Sequence, residues 1–518
     1  SGVACGMSRH AACDRAPGPS RPGWSATMTE VSIRSLAQGG AVFGTSGVRG
    51  TVEALTDRVC FAYTAAFLRA VACREAGQGV AIGYDLRPSS PRMTAACVAA
   101  CQAEGAKAIV CGPLPTPALA HFALTRGLPA IMVTGSHIPF DRNGIKFYTR
   151  LGEISKEDES AIAGAVVPLD DRAFEGGRLA RPPALGPLAP AAQELFRDRY
   201  LRFFGPGLLR GQRIGVYEHS SVARDLIGEV LRGLGAEVVP LGRTDTFVPV
   251  DTEAVSEATE RQARGWAAAH GLSALVSTDG DADRPLVGDE SGALLRGDLV
   301  GLLCAAFLRA RTVVTPVSSN TALERSGLFG KVVRTRIGSP YVIAAMEDAV
   351  RRGEAPVVGY EANGGFLLGS AVKGPSGAAL AALPTRDALL PILSLLALAT
   401  ERGVPFSRLR EGLPARFTAS DRLPEFATEA SRRLLGLLGA SSDERARFFG
   451  ELGEVREVNE VDGLRVTLAS GDIVHLRPSG NAPELRCYAE AGTAERALEL
   501  SRWGLRAAAA KSAELKGG

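Results

Sequence analysis

The chain has 518 residues, 46% of them hydrophobic and 22% charged, a globular balance with room for about three or four domains. A formal net charge of +3 gives no electrostatic footprint for nucleic acid or an anionic membrane surface, and no apolar run reaches bilayer length. Nine cysteines without a CxxC pair fit a reducing compartment, so a cytoplasmic location is expected.

Residues 1–27 are rich in Gly, Pro, Ser and Arg and lack an apolar targeting core. They read as a disordered extension, with Met28 a natural start for the folded protein. Residues 1–40 are set apart from the first domain on this basis. Between residues 79 and 147 three strand-like runs follow in order: Val80 to Tyr84, leading into Asp85 and Ser89-Ser90, then Ala108 to Val110, then Ala130 to Val133. Helical stretches over Met93–Glu104 and Ala118–Thr125 separate them. Cys97 and Cys101 lie four apart in the first of these, on one helix face, and read as small buried residues.

The same order returns at 213–290 and again at 311–369, each time with a Ser-Ser pair after the first run, Ser220-Ser221 and then Ser318-Ser319. Short β-branched runs alternating with helical spacers predict strands buried on both faces of a sheet. Helices over Ala191–Phe203 and Leu299–Arg309 are expected to cross between sheets. Leu389–Ala399, with Pro391 and Ser394 inside it, reads as a core helix. The expected fold class is α/β: three related α/β domains plus a smaller C-terminal α+β domain around a central cleft. The expected divisions are 41–190, 191–302, 303–415 and 416–518.

The third run of each copy ends in a polar loop, and ligands of open α/β sheets bind beyond the carboxyl ends of strands. In Thr134-Gly-Ser-His, Ser136 follows a buried strand and a glycine, so its hydroxyl is exposed on a tight turn; Lys146 follows in Asn-Gly-Ile-Lys. His137, its sequence neighbour, is poorly placed to act as its base. A simple capped turn is the alternative. In Asp279-Gly-Asp-Ala-Asp-Arg, three carboxylates at alternate positions repel one another unless a cation sits among them. Oxygen-only ligands favour Mg²⁺ over zinc. An EF-hand register would put Glu290 at its twelfth position, but Arg284 stands where that loop needs glycine.

The third loop, Gly359-Tyr-Glu-Ala-Asn-Gly-Gly, offers Glu361 and Asn363 to sugar hydroxyls. The fourth, Arg477-Pro-Ser-Gly-Asn-Ala-Pro-Glu-Leu-Arg, reads as a phosphate nest built from Arg477, Ser479, Asn481 and Arg486, with a charged surface turn as the alternative. A glycine-rich segment at Phe43–Gly50 carries Arg49, which can help bind phosphate.

Taken together and in this order, these five elements resemble the α-D-phosphohexomutase superfamily, over about residue 41 to the C-terminus. The resemblance implies four domains. It implies a catalytic set of Ser136, the residue that carries the phosphoryl group, with Arg49, Lys146, His137 and Arg284. It implies one Mg²⁺ held by Asp279, Asp281 and Asp283 with a phosphoserine oxygen. Glu361, Asn363 and Gly364 would meet the sugar. Arg477, Ser479, Gly480, Asn481 and Arg486 would hold the phosphate that stays. The sequence departs from the family at Ile138, Ala282, Ser339 and Gly365, where asparagine, glycine, histidine and histidine are common.

The implied reaction interconverts hexose 1- and 6-phosphates through a 1,6-bisphosphate, which also serves as activator. Mannose is the favoured sugar, glucose the next, and an amino-sugar mutase stays open. The implied assembly is a monomer or homodimer acting on hexose phosphates. A metal-dependent phosphatase and a non-catalytic sugar-phosphate binding protein are the readings from other classes.

Overall fold

A computed structural model describes residues 28–44, 47–72, 76–479 and 483–517. The repeat seen in the sequence is a repeat of topology. In the first copy, β2 (Val80–Tyr84) lies between β3 (Ala108–Pro113) and β4 (Ala130–Val133), all parallel, and β5 (Arg142–Thr149) runs back antiparallel beside β4. A short strand β1 (Val48–Thr51) extends this sheet on the far side of β5, with Arg49 opposite Gly144.

The second copy repeats the pattern with β6 (Arg213–Tyr217), β7 (Glu237–Leu241), β8 (Ala274–Thr278) and the returning β9 (Pro285–Gly288). The third has β10 (Thr312–Pro316), β11 (Lys331–Thr335), β12 (Val357–Tyr360) and β13 (Phe366–Leu368), with β14 (Leu383–Asp387) added outside β13. In every copy the polar loop joins the third parallel strand to the antiparallel fourth. This hairpin lies at the carboxyl edge of the parallel strands, where such sheets bind ligands.

Four helices matter to the assembly: α1 (Ser90–Ala103), α2 (Thr116–Arg126), α3 (Ala191–Phe204) and α4 (Gly297–Phe307). A fifth, α5 (Leu389–Arg402), tolerates Pro391 because that residue falls in the first turn, where an amide has no intrahelical acceptor. The Asp387 carboxylate caps its start by accepting from the amide of Leu389 at 2.8 Å. Phe196, Tyr200 and Phe203 of α3 share one continuous core with Leu119 and Phe122 of α2, Leu302 and Leu303 of α4, and Leu390 and Leu393 of α5. The first three sheets are therefore locked to one another by buried apolar surface. Cys97 and Cys101 are buried free thiols on α1, as expected.

Residues 417–491 form a five-stranded antiparallel sheet that begins with Phe417–Leu423 and has its own core around Leu434, Phe449 and Trp503. Its links to the third sheet include Ile337 N–H donating to Asp462 Oδ2 at 2.9 Å and Thr321 N–H donating to Glu490 at 3.0 Å.

Two divisions read from the sequence need correction. Residues 28–40 do not belong with the extension. Met28–Ser32 is a strand paired with Val166–Asp170, and Ile33 at the start of the next helix is in the first domain's core. The expected extension before Met28 lies outside the described residues. A boundary at 302/303 cuts through α4, which is continuous from Gly297 to Phe307; the apolar stretch of that helix was read without its polar first turn.

Candidate active site

The hairpin after β4 is shaped by an ion pair that sequence reasoning passed over. Asp85 and Arg87, both fully buried, follow β2 and pair at 3.2 Å. Asp85 accepts from Ser90 Oγ, Thr134 Oγ1 and the amide of Gly135. Arg87 donates to four loop carbonyls, those of Ser136, Ile138, Pro139 and Arg142. Gly135 is required for space, since a Cβ there would lie 2.5 Å from the Arg87 guanidinium carbon. Ser136 itself has φ 54, a left-handed conformation costly for a residue with a Cβ. Its Oγ is buried, not exposed as the turn suggested, because the second copy's loop closes over it, and it donates to Asp279 Oδ2 at 2.6 Å.

Asp279, Asp281 and Asp283 are all buried, and one carboxylate oxygen from each lies within 4.8 Å of the others. The loop closes on itself: Asp279 Oδ1 accepts from the amides of Asp283 and Arg284 at 3.2 and 3.3 Å. Ala282 has φ 59, which explains why glycine is expected there. Thr116, at the start of α2, donates through Oγ1 to Asp281 Oδ2 at 2.6 Å. Lys146 of β5 donates to Asp281 Oδ2 and Asp283 Oδ2, each at 2.7 Å. These contacts occupy Oδ2 of Asp281 and Asp283. Asp281 Oδ1 and Asp283 Oδ1 are buried with no hydrogen-bond partner among the described residues. Orphaned buried carboxylate oxygens are costly in a dry site, and hard oxygen donors in this arrangement suit a divalent cation. The cluster fits a bound metal ion.

The charges around it pull the aspartates apart. Burial, then Asp281 and Asp283, pushes the Asp279 carboxyl well up. Burial acts the same way on Asp283, but Arg386, Lys146 and Arg284 outweigh it and hold that carboxyl well below the usual range. Burial works against the charge on Lys146, yet Asp281 and Asp283 keep its pKa raised, so it is a cation. Arg49 differs. Burial first, then the like charges of Arg284 and Arg386, lowers it to about 10. Burial, then Arg284 and Arg49, drives the His137 imidazole far below its ordinary value. His137 stands 3.3 Å from Ser136 Oγ and 3.4 Å from Arg284.

The third loop reaches this cluster through Arg386, another residue not singled out from sequence. It donates to Glu361 Oε2 at 2.9 Å and to Asp283 Oδ2 at 2.7 and 3.1 Å. Asn363 is buried, and its Oδ1 accepts from the amide of Gly365 at 2.9 Å. Gly364 makes the turn with φ 86. In the fourth loop, Arg477 pairs with Asp462 and Arg486 with Glu484, both at short range. The amide of Ser479 donates to the Glu484 carbonyl. Gly480 and Asn481 lie outside the described residues. Among the described residues, no helix is long and apolar enough to cross a membrane.

Three repeated α/β units that bring a serine, three aspartates and a ring of cations to one buried point, with a fourth domain beside them, define a phosphohexomutase. The chain belongs to the phosphoglucomutase/phosphomannomutase family of α-D-phosphohexomutases, whose members are isomerases acting by intramolecular phosphotransfer. Residues 40–171 match its alpha/beta/alpha domain I, 296–417 its alpha/beta/alpha domain III and 435–502 its C-terminal domain. A phosphomannomutase of Sinorhizobium fredii is 45% identical over 90% of this chain and 98% of its own. A phosphomannomutase of Salmonella muenchen is 46% identical over 90% of this chain and 95% of its own. A phosphoglucomutase/phosphomannomutase family protein from Burkholderia thailandensis shares the fold, with a TM-score of 0.70 at 21% identity, covering 92% of this chain and 98% of that one.

Proposed function

We propose that this phosphohexomutase prefers mannose phosphates, accepts glucose phosphates, and works through a phosphorylated Ser136. The observation that carries the serine's role is its 2.6 Å contact with Asp279 at a strained, clamped turn. The sugar preference rests on the two relatives at 45% and 46% identity named phosphomannomutases.

Asp279, Asp281 and Asp283 would hold one Mg²⁺ with a phosphoserine oxygen. When bound, that ion supplies charge neutralisation at the phosphoryl group in transfer. The phosphoserine Oγ–P bond breaks as a free hexose hydroxyl oxygen forms its bond to phosphorus, giving a 1,6-bisphosphate. The hydroxyl proton must leave, and the freed Ser136 Oγ must take up a proton in its place. Arg49, lowered to about 10, is still a cation at neutral pH but is easier to deprotonate than Lys146, which is pinned between two aspartates. Lys146 and Arg284 stabilise charge. A phosphoryl group on Ser136 would bring negative charge beside His137 and favour its protonated form. Glu361, Asn363 and Gly364 would orient the sugar. Arg477, Ser479, Gly480, Asn481 and Arg486 would hold the phosphate that is not moving. The bisphosphate turns over in the cleft and returns its other phosphoryl to Ser136, so one nucleophile and one phosphate nest serve both half-reactions. A trace of hexose 1,6-bisphosphate would prime the enzyme.

The test is turnover of mannose, glucose, glucosamine and N-acetylglucosamine 1-phosphates with Mg²⁺ and a trace of bisphosphate. Wild type should form 6-phosphate, fastest from mannose 1-phosphate, and Ser136→Ala should form none. Release of inorganic phosphate in place of 6-phosphate would make the protein a phosphatase.

A further inference from the structure

Arg386 stands where three elements meet. It lies on β14 of the third domain, its side chain is only 4% exposed, and its fork spans two carboxylates from different domains. Nη1 takes Glu361 Oε2, while Nε and Nη2 take Asp283 Oδ2. Each contact saturates one oxygen of a carboxylate. The consequence for Asp283 is direct: Oδ2 is filled by Arg386 and Lys146, and Oδ1 is left buried without a hydrogen bond, facing the other aspartates and 3.6 Å from Arg284 Nε. For Glu361, Oε2 is filled by Arg386 Nη1, so Oε1 is the oxygen this arginine does not hold. A planar guanidinium can hold two such groups in fixed relative orientation, which a point charge cannot.

Space has been cleared for this side chain. A Cβ at Gly365 would lie 2.6 Å from Arg386 Cδ and 3.0 Å from its Cγ. Real Cβ atoms do not approach so closely, and Gly365 needs no left-handed backbone that would otherwise explain a glycine. Gly365 and Arg386 therefore form a complementary pair: the glycine of the sugar loop admits the arginine that joins this loop to the aspartate loop.

We infer that Arg386 is a positioning residue that selects which oxygen of Asp283 faces the cation site and which oxygen of Glu361 faces the sugar, coupling sugar selection to metal binding. The inference rests on the mutase reading for its sugar half; its metal half needs no turnover.

The experiment compares wild type, Arg386→Lys, Gly365→Ala and the double variant. Arg386→Lys keeps the charge but cannot bridge both carboxylates. Mn²⁺ binding, followed by electron paramagnetic resonance, should weaken about 10- to 100-fold in each single variant, as for other residues that orient metal ligands. The ratio of kcat/KM for mannose 1-phosphate over glucose 1-phosphate should change in variants that thermal melts show to be folded at the assay temperature. The double variant should be no worse than the poorer single one, because both lesions break the same coupling. Folded variants whose Mn²⁺ affinity and sugar ratio stay within about twofold of wild type, with only stability reduced, would overturn the proposal and leave Arg386 a structural tie. Wild type inactive on every hexose phosphate would sink the mutase reading and the sugar half with it, and the Mn²⁺ titration would still decide the metal half.

Discussion

Arg87 donates to the carbonyl of Ser136 at 3.0 Å, while the carboxylate that balances Arg87, Asp85, accepts from the amide of Gly135 at 3.1 Å. The two sides of one peptide turn are thus held by the two halves of one buried ion pair. The left-handed backbone of Ser136 persists because the surroundings over-determine it. The Arg87 guanidinium also lies 4.0 Å from the centroid of the Phe247 ring in the second domain, so the clamp touches that domain as well.

Arg87→Met should destabilise the protein by about 3–5 kcal/mol, because it strands a buried Asp85. Arg87→Lys should cost less stability and still lower kcat strongly, since one ammonium cannot reach four carbonyls. Denaturant unfolding and steady-state kinetics on the two variants check this. Equal kcat in wild type and the lysine variant would show that the clamp does not matter to phosphoryl transfer.

Ala282 carries a methyl group at φ 59. Ala282→Gly should remove that strain and stabilise the aspartate loop by up to about 1 kcal/mol, after the extra freedom glycine gives the unfolded chain. Slower amide exchange at residues 279–284 would report it. Faster exchange there would mean that the Ala282 methyl group's packing outweighs its backbone strain.

Arg49 is lowered to about 10. A base acts in its deprotonated form, so its contribution to kcat/KM should rise with pH, about tenfold per unit, and level off near the pKa. Arg49→Ala should erase that rising limb and cost about 10²- to 10⁴-fold in rate. A limb that survives in Arg49→Ala would assign the proton to another group.

Chelation should inactivate the protein without unfolding it. Lys146 and Arg386 already offset part of the repulsion among the aspartates. Restoring Mg²⁺ to about 100 times its dissociation constant should add about 2.7 kcal/mol of stability. Thermal unfolding with and without EDTA measures this. In Asp281→Asn the Mg²⁺-dependent shift should shrink sharply.

The threefold repeat, the order of the strands and the identity of the polar loops could all be read from the amino-acid order. They rest on local signals: runs such as Val80–Tyr84 and Ala274–Thr278 are apolar because both sheet faces are covered, and polar residues directly after them mark the carboxyl edge. Ser136, the three aspartates and Glu361 were legible for that reason, whereas Lys146 lies within β5, inside a strand. Arg87, Thr116 and Arg386 were not, although charges set directly against buried strands and helix starts, such as Asp85 and Arg87 after β2, were a signal that could have found them. Their distant partners lie 49 residues away for Arg87 with Ser136, 165 for Thr116 with Asp281 and 103 for Arg386 with Asp283. Nothing local encodes which oxygen of a carboxylate is filled and which is left open. That choice is made only when three sheets pack on the shared core and bring opposite charges into a space from which water is excluded.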